Sequence, residues 1–401
     1  MNIIYLSKYA SYSPYGLETR HFYISRELVK RGHEVTVYLS TSNHNLAHLP
    51  TNLRDDLDGI NVCWIPTLQY KNAYGVRRIA SWFHFEYRLR KKLRAVQLTQ
   101  ADTVICSSLS LLTICTGMQL KKKWGSKLIF EVRDIWPLVL TRLSNISKFN
   151  PIYRVLRHIE VKGYKTADII VGTMPYLKKH VEESVEYKKK VLWIPHLVNN
   201  TIDYLGTHRY ETKLHHIKEN GGVIVGYTGS INKSSALTYL LEAAADFSRK
   251  EKKIHFVFLG EGPSLVELQN KYNTPNIHFY NKIPQNEVVA FCRDCDVLYD
   301  GYLKSDLYEF GNSRNKYVEY CLAKKPIVLA YSGFIHFVEE YDCGKVVSPE
   351  STPALISGLE MILQKQAVEL SRLGQNAYTF AKNNLNLEKQ VDHFLEELNN
   401  V

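Results

Sequence analysis

Lys316 and Glu319 stand three residues apart in FGNSRNKYVEYCLAKKPIVLA (310–330), where a polar, glycine-containing loop meets a helix that feeds an apolar strand. The spacing puts both side chains on one face of the helix's first turns. A helix start offers free backbone N–H groups and a positive dipole end to a phosphate. A lysine there can neutralise phosphate charge, and a glutamate one turn on can accept hydrogen bonds from two vicinal hydroxyls. A diphosphate joined to a ribose is what a nucleotide sugar presents. The same spacing also fits a surface ion pair, and the segment alone does not choose between the two.

Two glycine turns precede that helix, and each follows an apolar strand. GYTGSINK (226–233) carries Gly229, which permits close backbone approach, and Lys233, placed where a phosphate is met. LGEGP (259–263) carries Glu261. In the other half, EVRDIWPLVL (131–140) sets Arg133 and Asp134 at a strand end, where a local salt bridge is the plain alternative. Two DxD strings, Asp56/Asp58 and Asp294/Asp296, lie in a polar stretch and at a helix-to-strand junction, so no metal is expected. Cys292 and Cys295 form a lone CxxC among seven scattered cysteines, without the partners of a zinc site.

The elements that must position these residues read as alternating strands and helices. IIYLS, the loop KYASYSPYG ending at Gly16, a helix from about Leu17 to Lys30, Gly32 and HEVTVYLS make one βαβ unit. Strands follow at NVCWIP, TVICSS, KLIFEVR, DIIVGT and VLWIP. Polar sequence near Asn199 to Thr212 reads as a linker. A second set then runs through GVIVGYTG, a helix from about Ser235, HFVFLGEG, NIHFYN, a helix from about Gln285, DVLYDGY, PIVLA and GKVV. The last helix starts near Leu387 with Val391 and Phe394 on its apolar side. The alternation means doubly wound parallel sheets, and 401 residues suit two domains.

Charge is uneven. Residues 1–200 hold 30 Lys/Arg against 15 Asp/Glu, while the chain as a whole is net +11. A basic first half suits an anionic partner. Ser81 to Val96 reads SWFHFEYRLRKKLRAV, with Trp82, Phe85, Leu89, Leu93 and Val96 on one helical face and Arg88, Lys91 and Lys92 among the charges around it. Such a helix fits the interface of an anionic membrane, or packs on a sheet with a solvated basic face. No recognition motif points to nucleic acid. No segment is long and apolar enough to span a bilayer and no signal peptide opens the chain, so a cytoplasmic protein with reduced thiols, attached peripherally to the inner face of the cytoplasmic membrane, is expected.

Taken in order, the glycine turns and NKYVEY resemble the GT-B glycosyltransferases, in particular retaining glycosyltransferase family 4, over nearly the whole chain. The resemblance implies two Rossmann-like doubly wound domains facing across a cleft: residues 1–200 for the acceptor and membrane, 201–385 for the nucleotide sugar, and a helix at 386–401 packing back on the first. It implies that Gly16, in SPYG, borders the donor phosphates, and that Gly229 and Lys233 meet the diphosphate. Glu261 would lie near the nucleotide, and Lys282 and Ile283 would hold the base. Gly311, Asn312, Ser313, Asn315 and Lys316 would line the donor, with Glu319 on the ribose. EVRDIWPLVL resembles the xRDxWP signature of transferases that build O-antigen and capsule, and implies Arg133 and Asp134 as catalytic residues with Lys233. Where the wider family carries a first glutamate, this chain has Gly311, so contacts to the transferred sugar differ. The implied activity moves an N-acetylhexosamine type of sugar from a UDP donor to a polyprenyl-linked saccharide, without a metal or other cofactor. A UDP-sugar 2-epimerase and a silent nucleotide-sugar-binding subunit share the same architecture.

Overall fold

The computed structural model describes the chain except residues 71–75, 96–99, 109, 144–145, 201 and 205, with the backbone alone at 76 and 143. Two compact units result: Met1–Asn199 with Leu387–Val401, and Asn200–Asn386.

The first unit is built on β1 (Asn2–Leu6), β2 (Glu34–Ser40), β3 (Arg54–Leu57), β4 (Ile60–Ile65), β5 (Thr103–Ser107), β6 (Lys127–Val132), β7 (Ile169–Gly172) and β8 (Val191–Trp193). Their order is β3-β4-β2-β1-β5-β6-β7-β8, and every pair is parallel except β3 with β4. Helices cover both faces, which is why β5 and β6 are near-continuous apolar runs. The polar stretch around Asp56 and Asp58 is a hairpin arm. Leu57 pairs with Ile60 across a two-residue Asp58–Gly59 turn with φ of 54° and 81°. An Asp-Gly pair ahead of alternating residues is a strong hairpin signal.

The first helix begins at Arg20, not near Leu17. Residues 17–19 are tied back instead: Ser11 Oγ donates to the Leu17 carbonyl and Thr19 N donates to the Ser11 carbonyl. Leu17 therefore stays 71% exposed. The helix expected at Ser81–Val96 spans Val76–Ala95, with Val96 outside the described residues. The last helix, Leu387–Asn399, buries Leu387, Val391, Phe394 and Leu398 in one cluster with Ile3, Val35 and Val37 from β1 and β2. Arg31 Nε reaches Asp392 Oδ1 at 2.6 Å at its edge. The C-terminal helix thus closes the apolar face of the unit's own sheet.

The second unit holds β9 (Val223–Thr228), β10 (Ile254–Leu259), β11 (Ile277–Tyr280), β12 (Val297–Gly301), β13 (Ile327–Ala330) and β14 (Gly344–Val347), all parallel, in the order β11-β10-β9-β12-β13-β14. The chain winds outward from β9 to β11 and then returns beside β9 with β12. Open α/β sheets bind ligands outside the carboxyl ends of the strands where the order reverses. A helix at Glu211–Glu219, starting where the stretch read as linker ends, packs through buried Leu214 and Ile217. Among the described residues no helix is long and apolar enough to cross a membrane.

Phe394→Ala opens a cavity under the C-terminal helix and is expected to lower unfolding stability by about 3–5 kcal/mol. Urea denaturation checks it. A loss below about 1 kcal/mol, the size of a surface change, would contradict this packing.

Candidate functional site

The reversal point of the second sheet lies between β9 and β12, and a charged cluster has grown there. β12 ends in Asp300, a fully buried carboxylate. Arg314 Nη1 lies 2.7 Å and Lys316 Nζ 2.9 Å from its Oδ1, and the Tyr317 hydroxyl donates to Oδ2 at 2.9 Å. Burial would raise the Asp300 carboxyl, but Arg314 and Lys316 more than offset it and hold the group below its ordinary value. The Arg314 guanidinium lies 3.6 Å over the Tyr302 ring, and Lys316 Nζ lies 3.8 Å over the Tyr227 ring. Lys316 is therefore committed to Asp300 and not to Glu319, which settles the ion-pair alternative against itself.

Asp300 and Arg314 were not singled out in the sequence. The available signal was an acid closing the apolar strand DVLYDGY. A buried acid at a strand's carboxyl end needs a cation from elsewhere in the chain.

Lys316 also roofs the first glycine turn. A methyl group at Gly229, whose φ is +126°, would stand 3.2 Å from Lys316 Cε and 3.3 Å from Nζ. The turns after β9, β10 and β11 are laced by backbone: Gly229 N donates to Leu259 O, Gly260 N to Tyr280 O, and Ile231 N to Glu261 O. Gly260 has φ +153°, and a Cβ there would fall 1.9 Å from the Gly229 carbonyl oxygen. Only glycine allows this approach. Glu261 and Lys282, both exposed, pair at 3.0 Å across the second and third turns, with Ile283 half-buried beside them. Lys233 is exposed on the short turn Lys233–Ser235.

Glu319 sits on the helix Lys316–Leu322 and is 8% exposed. Burial pushes its carboxyl up to about 7, against weaker pulls from its own backbone N–H, Lys316 and Gln285. The loop before that helix holds Gly311 at φ +81°, Asn312 against His336 Nε2 at 3.3 Å, half-buried Ser313, and exposed Asn315.

Gly16, Arg133 and Asp134 belong to the first unit. A Cβ at Gly16 would lie 2.1 Å from the Asn45 carbonyl oxygen, so the loop after β1 needs glycine to pass. Arg133 follows β6. Its backbone N–H donates to Ser108 Oγ at 3.0 Å, while its Nε and Nη1 are shielded from solvent and have no hydrogen-bond partner among the described residues. Asp134 beside it is exposed. Beneath them, Glu131 is held by Arg20 Nε at 3.0 Å and by the Tyr5 hydroxyl at 2.8 Å. Burial works against the Glu131 charge, yet Arg20, His21 and Arg133 bring its carboxyl down to about 2. His21 bonds Ser7 Oγ at 3.0 Å and Ser107 Oγ at 3.1 Å, and burial takes it to about 3, so it is neutral.

Of the residues read as membrane-facing, Trp82 and Phe85 are buried, at 9% and 0% exposure. Their face of the helix Val76–Ala95 packs into the unit, because a 3.6-residue apolar stripe fits a protein core as well as a lipid surface. Arg88 and Lys91 are exposed and Lys92 is half-buried. The exposed aromatics are Phe83 and Tyr87, which line a groove with Glu86, Arg90, Lys91 and Arg94.

Among the described residues, Glu211, His215 and Asp294 are close enough to share an ion, their ligand atoms lying within 4.8 Å of one another. Asp294 already accepts from His208 Nε2 at 2.9 Å. Asp296, the other half of that DxD string, is 3.4 Å from Lys218 instead.

The profile of the family described as "Glycosyltransferase Family 4" matches residues 14–201, and that described as "Glycosyl transferases group 1" matches residues 222–365. The chain is a glycosyltransferase. A Pseudomonas aeruginosa protein described as "Probable glycosyltransferase WbjE" is 21% identical over 307 residues, covering 75% of this transferase and 74% of that protein. Sucrose-phosphate synthase from Thermosynechococcus elongatus superposes over 100% of the transferase and 98% of its own chain, with a TM-score of 0.76 and 13% identity. Anabaena Alr3699/HepE in complex with UDP and glucose covers 100% of both chains, with a TM-score of 0.64 and 12% identity. The transferase thus has the GT-B fold, with two parallel-sheet α/β domains.

The raised carboxyl of Glu319 gives a pH signature. The folded state holds a proton there between about pH 4.5 and 7 that the unfolded chain releases. Stability of the ligand-free transferase is therefore expected to fall as pH rises through that window, by on the order of 2–3 kcal/mol from this group. Glu319→Gln should flatten that part of the profile in pH-dependent thermal melts. An unchanged slope would mean that Glu319 is ionised in the folded protein.

Proposed function

We propose that the transferase takes an N-acetylhexosamine type of sugar from a UDP-linked donor and passes it, with retention of anomeric configuration, to a lipid-linked saccharide. On this reading it belongs with the xRDxWP enzymes that build surface polysaccharides such as O-antigen and capsule. The observation that carries the donor half is Lys316 over the Gly229 turn at the reversal of strand order, with Glu319 one turn on along the same helix. The complex of the Anabaena neighbour with UDP and glucose supports a uridine nucleotide.

Lys316 and the exposed Lys233 would face the diphosphate, and the Glu319 carboxylate would accept the ribose hydroxyls. The backbone around Lys282 and Ile283 would hold the base. Two hydroxyls donating to Glu319 favour its ionised form, so donor binding releases a proton near neutral pH. Retention needs no side-chain base behind the anomeric carbon. The departing phosphate oxygen takes the acceptor's proton on the same face as the new bond forms, and the protein positions the partners and neutralises the leaving diphosphate without a metal. Arg133 and Asp134 act at the reacting sugars. Gly311 brings no carboxylate to the transferred sugar, so its hydroxyls are read by other groups.

Lys316→Ala and Glu319→Ala are each expected to weaken UDP binding by about tenfold or more, read by calorimetry. Affinities within about threefold of the parent, roughly 0.6 kcal/mol, would remove these residues from the donor site.

Exposed Phe83 and Tyr87 beside Arg88, Lys91 and Arg94 support attachment to an anionic bilayer, the source of a lipid-linked acceptor. The double change Phe83→Ser and Tyr87→Ser should abolish co-sedimentation with phosphatidylglycerol vesicles while leaving UDP affinity intact. Equal vesicle binding by the double variant would place attachment elsewhere.

A further inference from the structure

Two cations share one anion where the helix Lys316–Leu322 begins. Arg314 Nη1 and Lys316 Nζ both reach Asp300 Oδ1, at 2.7 and 2.9 Å, while Oδ2 accepts from the Tyr317 hydroxyl. Arg314 stands only two residues ahead of Lys316, a spacing at which side chains do not meet on a helix. Asp300 therefore imposes their meeting. Among the described residues neither cation has a second ion-pair partner. Every member of the set is hydrogen-bonded, yet it carries one positive charge more than Asp300 balances.

We propose that Arg314 is a positioning residue for the donor: it balances the charge of Asp300, so that the charge of Lys316 stays available to the diphosphate. The inference rests on the donor reading above and gives a role to a residue that acts through Lys316.

The two cations are turned to different places. The Arg314 guanidinium lies 3.6 Å over the Tyr302 ring and donates to the Gly301 carbonyl at 3.3 Å, so it faces the end of β12. Lys316 Nζ lies 3.8 Å over the Tyr227 ring and 3.3 Å from where a Cβ at Gly229 would stand, so it faces the glycine turn. An ammonium has three N–H donors, and Asp300 takes one of them. Burial opposes the Arg314 charge, but its neighbours, Asp300 first, outweigh that and raise the group. Glu319 is no ion-pair partner of either cation, and burial pushes its carboxyl up to about 7. Without Arg314, Asp300 and Lys316 would form a closed pair with no net charge. A diphosphate arriving at the glycine turn would then meet a carboxylate as well as an ammonium. With Arg314 present the three groups sum to one positive charge in a half-buried place, where it acts more strongly than in water.

The test measures UDP and uridine binding to the full chain by calorimetry. Uridine has no phosphate and reports the base and ribose contacts alone. Arg314→Met is expected to weaken UDP about tenfold and to leave uridine within about twofold of the parent. Arg314→Lys keeps the charge and should hold UDP within about threefold. The deciding variant joins Arg314→Met to Asp300→Asn, which removes the anion together with its counter-charge. It should regain UDP affinity to within about threefold of the parent. A purely structural role for Arg314 predicts the reverse, a double variant at least as weak as the single one. Should Arg314→Met not fold, the double variant read against the parent decides the matter in the same way. Undiminished UDP binding in Arg314→Met, equal losses for UDP and uridine, or a double variant that regains nothing would overturn the proposal. Loss of UDP binding in Lys316→Ala with none in Arg314→Met would strike this inference alone, whereas intact binding in Lys316→Ala would strike the donor reading itself.

Discussion

The second unit depends on one buried carboxylate. Asp300 lies at the end of β12 with no access to water, and a bare charge in that position would cost several kcal/mol. It is tolerated because Arg314, Lys316 and the Tyr317 hydroxyl all converge on it. Those three residues come from the loop and helix that follow, so satisfying Asp300 fixes where that helix begins. Once Lys316 is fixed, its stem covers Gly229 and its ammonium sits over Tyr227. Glu319, one turn on, is carried into the protein with it. A single electrostatic demand thus joins two strands, a glycine turn and a helix start.

The glycine turns supply the second constraint, which is steric. Gly229, Gly260 and the strands they follow come so close that a Cβ at Gly260 would overlap the Gly229 carbonyl. The resulting backbone-to-backbone bonds leave little room for side chains and give a surface of peptide groups next to a lysine. That combination suits a diphosphate, which binds through charge and N–H groups and makes few demands on shape. The first unit solves a related problem differently. Its buried polar residues, His21, Glu131, Arg20, Ser7 and Ser107, are joined by hydrogen bonds and an ion pair that brace the strand ends from inside.

Chemistry-bearing residues were legible wherever local spacing set them. Lys316 and Glu319 share a helix start, Gly229 and Glu261 sit in turns after apolar strands, and the alternation of elements marks the two parallel sheets. The antiparallel arm β3 was missed although Asp58-Gly59 announces a hairpin, because the arm itself is charged and carries no apolar alternation. The membrane-facing reading of Trp82 and Phe85 failed for a different reason. Their period is right for an amphipathic helix, and period alone does not say what covers the apolar side. Residues of their own unit cover it, with Tyr9 and Trp136 against Trp82.

The sequence by itself determined most of the order of strands and helices, the position of the glycine turns, and the placing of a cation and an acid on one helix face. These are properties of residues within a few positions of each other, governed by backbone preference and side-chain period. Tertiary structure alone decided which charges meet. Asp300 and Arg314 are 14 residues apart. Whether a charge is paired, strained or waiting for a ligand follows from burial and distance, and neither exists until the strands are packed side by side.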